Sequence, residues 1–339
     1  MTSAPVPLSV LDLAPVGSGS TSATALRHTL ELAEHAEKLG FHRYWVAEHH
    51  NMPGIASSSP AVLIAHIANA TTTMRVGSGG VMLPNHPPLV VAEQFGMLEA
   101  LHPGRIDLGI GRAPGTDPAT AHALRRSPGP LSADDFPQQL GELIDYFADP
   151  GTERNGSISA VPAAGNRPPV WLLGSSGFSA RLAGLLGLPF SFAHHFSPDN
   201  TLPALGVYRQ SFRPSTELTK PHALVCASVV CAETDERASW LAAPSGLAFL
   251  RLRGGRPGLF PSPEEAAEYP YSELERAIVA DRMDSQIIGS PETVRRGIDA
   301  LLEATEADEL MITTLVHDHT DRLRSYELIA EAYAKSAAP

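Results

Sequence analysis

Four short apolar runs end in residues that a hydrophobic strand does not need. Arg43–Ala47 runs into Glu48-His49-His50-Asn51, and Val76 leads into Gly77-Ser78-Gly79-Gly80. Ile106–Gly111 stops at Arg112, and Val170–Leu173 runs into Gly174-Ser175-Ser176, three residues before Ser179. Each ending suits a different chemistry. An imidazole at His49 can move a proton near neutral pH. A guanidinium at Arg112 is always charged and can hold a phosphate through paired hydrogen bonds. A Gly/Ser turn that opens a helix offers free backbone N–H groups to an anion. Glycines inside a strand pack nothing, so they mark close backbone approach to a ligand or an unusual peptide geometry. Each ending also has a plainer use: surface imidazoles, a β-bulge that lets a barrel curve, and a simple N-cap.

Two other chemistries are weighed and set aside. His49 with Glu48, and with His194 and His195 at a later strand end, is the grouping that could hold a transition metal. Neighbouring residues on an extended chain point to opposite faces, and no carboxylate follows at a usual ligand spacing, so no metal is expected. Gly109-Ile110-Gly111-Arg112-Ala113-Pro114-Gly115 reads GxGxxxG, with a proline where a phosphate-binding helix should begin. A dinucleotide-binding βαβ unit is therefore excluded.

The elements that must position these residues alternate. Leu8–Leu13 reads as a strand, followed by a helix from Thr21 or Ser22 to Gly40 with Leu26, Leu30, Ala33 and Ala36 on one face. Arg43–Ala47, Arg75–Leu83 and Arg105–Gly111 are strands, with helices over Pro60–Ala70 and Leu89–Leu101 between them. Leu131–Phe147 reads as helical, and Asp149–Pro169 as an irregular excursion. Then come a strand at Val170–Leu173, a helix at Ala180–Leu186, a strand at Phe190–Ala193, a helix at Leu202–Phe212 and a long strand at His222–Ala232. Gly254–Pro270, rich in Pro and Gly, reads as the most mobile insertion. Ser290-Pro291-Glu292 starts a helix, Glu309–Thr314 is the eighth strand, and a terminal helix runs over about Asp321–Ala334. The pattern predicts an α/β fold, a (β/α)8 TIM barrel with insertions in its second half, as one domain over residues 1–339. An open doubly wound sheet is the alternative, because counting strands does not establish closure.

The 339 residues, 43% of them hydrophobic, can bury one large core. The net charge of −12 comes without a basic block or an apolar run long enough to span a bilayer, which argues against nucleic-acid and membrane partners. Met1–Leu13 lacks the features of an export signal, so a cytoplasmic protein is expected. Cys226 and Cys231 lie in one strand, roughly 17 Å apart and on opposite faces, too far to pair.

Taken in order, AEHHN, VGSGGVMLPNHPPLVVAEQ, LHPGRIDLGIGRAPG and PVWLLGSSGFSARLAGLLGLPF resemble the bacterial luciferase-like flavin monooxygenases, closest to the members of unassigned substrate. The likeness runs from Leu8 to about Phe196 and more weakly to Thr314. It implies a TIM barrel with reduced FMN in its C-terminal mouth, dioxygen and a small organic molecule as substrates, a homodimer, and a separate NAD(P)H:flavin reductase. It further implies that His49 is the active-site histidine and that Gly79 and Gly80 are joined by a cis peptide beneath the flavin ring. Arg112, Ser175, Ser176 and Ser179 would hold its phosphate. Gly111 stands where light-emitting relatives carry a reactive cysteine, which argues against light emission and not against flavin binding. Hydride transfer with the deazaflavin F420 is the alternative within the fold, and its longer anionic tail would draw on Arg125 and Arg126. A non-catalytic flavin-binding protein is the alternative outside catalysis. A dimer is expected to bury Ala65, Ala68, Ala70, Val91, Phe95 and Leu98.

Overall fold

The computed structural model describes residues 5–113, 116–125, 135–148 and 158–334. Its strands are β1 (Leu8–Asp12), β2 (Arg43–Val46), β3 (Arg75–Ser78), β4 (Val81–Met82), β5 (Ile106–Gly111), β6 (Val170–Gly174), β7 (Phe190–Phe192), β8 (Ala223–Cys231), β9 (Ile287–Gly289) and β10 (Glu309–Thr313). The helices are α1 (Ser22–Leu39), α2 (Pro60–Ala70), α3 (Pro88–Leu101), α4 (Pro118–Arg125), α5 (Phe136–Tyr146), α6 (Gly177–Leu186), α7 (Thr201–Ser211), α8 (Asp235–Arg253), α9 (Pro263–Glu268), α10 (Glu273–Asp284), α11 (Pro291–Thr305) and α12 (His319–Ala334). Residues 131–134 and 149–157, the start of the expected helix at Leu131–Phe147 and much of the excursion after it, lie outside the described residues.

Closure settles the choice between barrel and open sheet. β1 pairs in parallel with β2 (Val10 opposite Tyr44) and with β10 (Leu8 opposite Leu310), and β10 pairs in parallel with β8 (Met311 opposite Cys226). With β3, β5, β6 and β7 between β2 and β8, these make a closed eight-stranded parallel barrel. The two remaining strands are extensions. β4 resumes β3 after a cis peptide between Gly79 and Gly80 and pairs with β5, while β9 pairs with the far end of β8.

Local sequence explains the elements. In α1, Thr21 caps the start by accepting from the Thr24 N–H at 3.2 Å, and Gly40 ends the helix in the left-handed region at φ 83°. Its buried face is Ala25, Thr29, Leu32, Ala33 and Ala36, one residue round from the expected stripe, so Leu26 is exposed. The reason is polar. Thr29 donates to the buried Asp12 carboxylate at 2.6 Å, which Tyr44 and Arg322 also reach, both at 2.6 Å.

The barrel interior is layered. At the bottom, Arg43 donates to Glu309 at 2.7 and 2.9 Å and to Asp107 at 2.6 Å, and Arg75 reaches Asp107 from the next strand at 2.6 Å. Burial works against the charge on Arg43, but Asp107 and Glu309 outweigh it and its pKa is raised. Above this ionic layer lies an apolar one of Leu11, Trp45, Trp171, Leu224, Cys226 and Met311. The two indoles meet edge to face at 5.3 Å, and the Arg43 guanidinium lies 4.8 Å from the Trp171 ring. Cys231, five residues beyond Cys226, faces the outer core, and both thiols are free.

The expected dimer face needs correction. Ala68, Val91, Phe95 and Leu98 are buried within this chain, because α2 and α3 turn those residues onto the barrel. The large apolar residues that the same helices expose are Val62, Val90, Met97 and Leu101. Among the described residues no helix is long and apolar enough to cross a membrane.

The ionic layer generates a stability prediction. Arg43→Met removes one member of a buried charge network and strands Glu309, so it should destabilise the fold by about 3–5 kcal/mol. A urea unfolding midpoint unchanged from wild type would show that Arg43 is dispensable.

Candidate active site

The strand C-terminal ends open into a cavity of about 1070 Å³. His49, Gly79, Gly80, Arg112, Ser175, Ser176 and Ser179 all line it, so the fold brings these seven to one cavity, while Glu48 and His50 lie outside its lining. Its floor is the upper side of the apolar layer: Leu11, Trp45, Leu173, Cys226 and Met311.

On the β2 side, Glu48, His49 and His50 follow the strand end and diverge. Glu48 is fully buried and accepts hydrogen bonds from His86 Nε2 at 2.7 Å, His50 Nε2 at 2.9 Å and the Met82 N–H at 3.0 Å. A carboxylate only accepts, so both imidazoles carry their proton on Nε2 here. Burial alone would raise the Glu48 pKa, but these donors outweigh it and hold it below the usual value. His50 is thereby tied outside the cavity. His49 points the other way, into it, with a buried Nδ1 that has no hydrogen-bond partner. Burial pushes the His49 pKa down against the pull of Glu48, leaving a neutral imidazole. Glu48, His50 and His86 offer three ligand atoms close together, yet each is already satisfied by the others.

The glycine run has a packing explanation. A Cβ on Gly79 would lie 2.7 Å from Leu11 Cδ1 and 3.2 Å from Trp45 Cβ, and one on Gly80 would lie 2.7 Å from the Gly109 carbonyl oxygen. Side chains are absent there because Trp45 and β5 occupy the space. A ligand lying across the run is not needed to explain them.

On the β5 and β6 side, Arg112 is half-buried, and its guanidinium stands 4.3 Å from the Phe178 ring in the first turn of α6. Among the described residues it has no carboxylate partner. Ser176 is the N-cap of α6, with extended backbone and a side chain that makes no capping hydrogen bond. Ser179 is buried one turn into the helix, and no acidic residue occupies that turn. Free N–H groups, three hydroxyls and an unpaired guanidinium therefore converge on one corner of the cavity. Arg125 ends α4, and its side chain and Arg126 lie outside the described residues.

The roof is where sequence reading saw least. Residues 256–262 cross the mouth, and Phe260 exchanges backbone hydrogen bonds with Val16 and Ser18, each at 2.8 Å. What composition marks as the most mobile insertion is thus attached by its main chain, and α9 behind it opens with a capping box of Ser262 and Glu265. His195, considered earlier only as a metal ligand, also lines the cavity and donates from Nδ1 to the Cys226 carbonyl at 3.1 Å. His194 instead bonds Thr201 Oγ1 at 2.8 Å.

Comparison with known proteins follows the same lines. The family model for luciferase-like monooxygenases matches residues 6–309. A luciferase-like monooxygenase from Escherichia coli K12 is 48% identical over 328 residues, 97% of each chain. An N-acetyl-S-alkylcysteine monooxygenase from Bacillus subtilis is 34% identical over 330 residues, 96% of this chain and 97% of its own. Among solved structures, apo-MsnO8 is 39% identical with a TM-score of 0.89, over 97% of this chain and 98% of its own. Two more distant structures share the fold. The oxygenating constituent of the Pseudomonas putida 3,6-diketocamphane monooxygenase, in complex with FMN, has a TM-score of 0.73 at 21% identity, over 98% and 99% of the chains. An F420-dependent secondary alcohol dehydrogenase has a TM-score of 0.66 at 14% identity, over 97% and 99%.

The cavity histidines make stability depend on pH. Burial chiefly, with Arg282, His194 and His49 adding to it, lowers the His195 pKa from 6.5 to about 4. Between those values the unfolded chain takes up a proton that the folded chain refuses, so stability is full above pH 6.5 and falls as the pH drops toward 4. His195→Asn should lose less stability than wild type between pH 7 and pH 4.5 in urea titrations. Equal losses would show that His195 is not held neutral.

Proposed function

This chain belongs to the luciferase-like monooxygenase family, and from that premise we propose that it uses reduced FMN and dioxygen to oxygenate a small organic molecule. The observation that carries the reading is the convergence, on one cavity, of an anion corner at Arg112 and α6 with an unpartnered neutral imidazole at His49.

The residues fit the cofactor. The phosphate of FMN is a dianion, and the guanidinium of Arg112, the hydroxyls of Ser175, Ser176 and Ser179 and the first N–H groups of α6 would hold it. The apolar floor at Leu11, Trp45 and Leu173 suits a flat ring system, beside the main chain of Gly79 and Gly80. A volume at or above the upper end of the range for ligand pockets, roughly 300–1,000 Å³, leaves room for a second molecule. Bound reduced FMN would supply the oxygen chemistry. His49, neutral and lining the cavity, would take or return a proton, and the roof at Leu259 and Phe260 would keep water from the reacting atoms.

Reduced flavin would come from a separate NAD(P)H:flavin reductase, in the cytoplasm, where the two free and buried thiols are at home. A homodimer would cover Val62, Val90, Met97 and Leu101. Gly111 sits against the Met82 sulfur and offers no nucleophile, so light emission is not part of the proposal.

Anaerobic titration with reduced FMN and with F420 tests the cofactor: submicromolar to micromolar binding of FMN alone is expected, and preference for F420 would move the reading to hydride transfer. Arg112→Ala should weaken reduced-FMN binding by roughly 1.5–3 kcal/mol, the scale for hydrogen bonds to a charged group. Calorimetric affinity equal to wild type would remove Arg112 from the phosphate corner. His49→Ala should bind reduced FMN within a few-fold of wild type, yet lower the yield of oxygenated product about 10²-fold. If flavin reoxidation on mixing with air and product yield both match wild type, His49 is structural.

A further inference from the structure

The wall of the cavity holds a further cation that the cofactor reading leaves without a task. Arg282, in the last turn of α10, lines the cavity from the side of β7 and β8, away from the corner at Arg112 and α6. One N–H of its guanidinium donates to the His195 carbonyl oxygen, and the group packs 5.2 Å from the Phe249 ring. Its Nε is buried without a hydrogen-bond partner, and among the described residues no carboxylate is within ion-pair distance, although Asp281 and Asp284 flank it on the same helix.

The plainer account is a basic residue at a helix C-terminus, favoured by the helix dipole. The local hydrogen bonds argue against it. The end of α10 is closed by other groups: Ser285 Oγ donates to the Arg282 carbonyl at 2.8 Å, and the Gln286 N–H donates to the Met283 carbonyl at 3.0 Å. The Arg282 side chain turns from its own helix toward the cavity. Partial burial lowers the Arg282 pKa, and its buried, unpartnered Nε leaves the guanidinium without the anion that would offset that cost, although Asp281 and Asp284 also line the cavity.

We propose that the organic substrate carries a carboxylate and that Arg282 receives it, making Arg282 the residue that selects acidic over neutral substrates. The guanidinium fork matches a carboxylate in shape as well as charge. Beside it, Ser228 Oγ donates to Gln286 Oε1 at 3.0 Å and Gln286 Nε2 donates to Ser245 Oγ at 3.3 Å, a polar wall with spare capacity for a second polar group on the same molecule. The other end of the substrate would then lie over the apolar floor, where His49 and the flavin ring are expected. The proposal rests on the monooxygenase reading for the word substrate, but its test does not need flavin.

The probes are acetate, hexanoate, benzoate and phenylacetate, each paired with its own primary amide and titrated by calorimetry into flavin-free protein, both wild type and Arg282→Gln. At least one acid should bind wild type about tenfold or more tightly than its amide, the size of one charge-assisted contact, and Arg282→Gln should abolish that preference. Reduced FMN should bind both proteins equally within about twofold. Absence of any acid preference in wild type up to millimolar concentration overturns the proposal, and so does a preference that survives in Arg282→Gln. Failure of FMN to bind wild type would sink the flavin reading separately and leave the comparison of acid with amide standing.

Discussion

Everything above the bottom of this barrel rests on one buried guanidinium. Arg43 joins β2 to β10 through Glu309 and to β5 through Asp107, while Arg75 brings β3 into the same layer. Charges in a protein interior are tolerated only when paired and hydrogen-bonded, and pairing of this kind has few geometries. A strand that slipped by one residue would carry its charge from the barrel axis to the outer core, where nothing could neutralise it. The layer therefore fixes the register of four strands at the end farthest from the cavity. Trp171 lies against the Arg43 guanidinium, Trp45 donates to Asp107 at 3.0 Å, and the two indoles close the interior above them. The floor of the cavity is the upper surface of that stack.

The same register delivers the groups at the other end. With β2 held so that Arg43 and Trp45 face inward, Ala47 and His49 follow on the inward side, while Glu48 and His50 turn out toward His86. The pairing of β3 with β5 sets Gly77 against Asp107, and the continuation of β5 brings Arg112 to the rim beside Phe178. Buried charge at one end and cavity-facing charge at the other are thus parts of one constraint. Conserving stability and positioning chemistry are divided between the two ends, as the barrel architecture allows.

Much of this was legible in the sequence where chemistry and periodicity coincide at a strand end. His49, Arg112 and Ser175 stood out because polar groups terminate apolar runs, and all three reach one cavity. Three features were not legible, for different reasons. Helical periodicity cannot tell a face that packs on its own barrel from one left outside, so Val91, Phe95 and Leu98 were assigned outward while they pack inward. Alternating apolar pattern says nothing about a charge inside a strand, so the sequence places Arg43, Asp107 and Glu309 in their strands without showing that they form a closed set. Arg282 and His195 meet across 87 positions of chain, and no local signal links them. The glycines of β3 carry the opposite lesson. They are legible as a special feature, but their nearest constraints are the side chains of Leu11 and Trp45 and the backbone of β5.

The strap at Phe260 is attached by main-chain hydrogen bonds to Val16 and Ser18, and the Gly258 carbonyl closes on Gly54 so tightly that a Cβ there would stand 2.6 Å away. Every amino acid except proline carries the same amide, so the attachment is indifferent to most of the side chains hung on it. Phe260 is buried and packs the strap in place, whereas the more exposed Pro257 and Leu259 also line the cavity without supplying those hydrogen bonds. Substrate preference can consequently drift through those positions in descendants of this chain without the enclosure being lost. A library built on them would explore new chemistry at little risk to the fold.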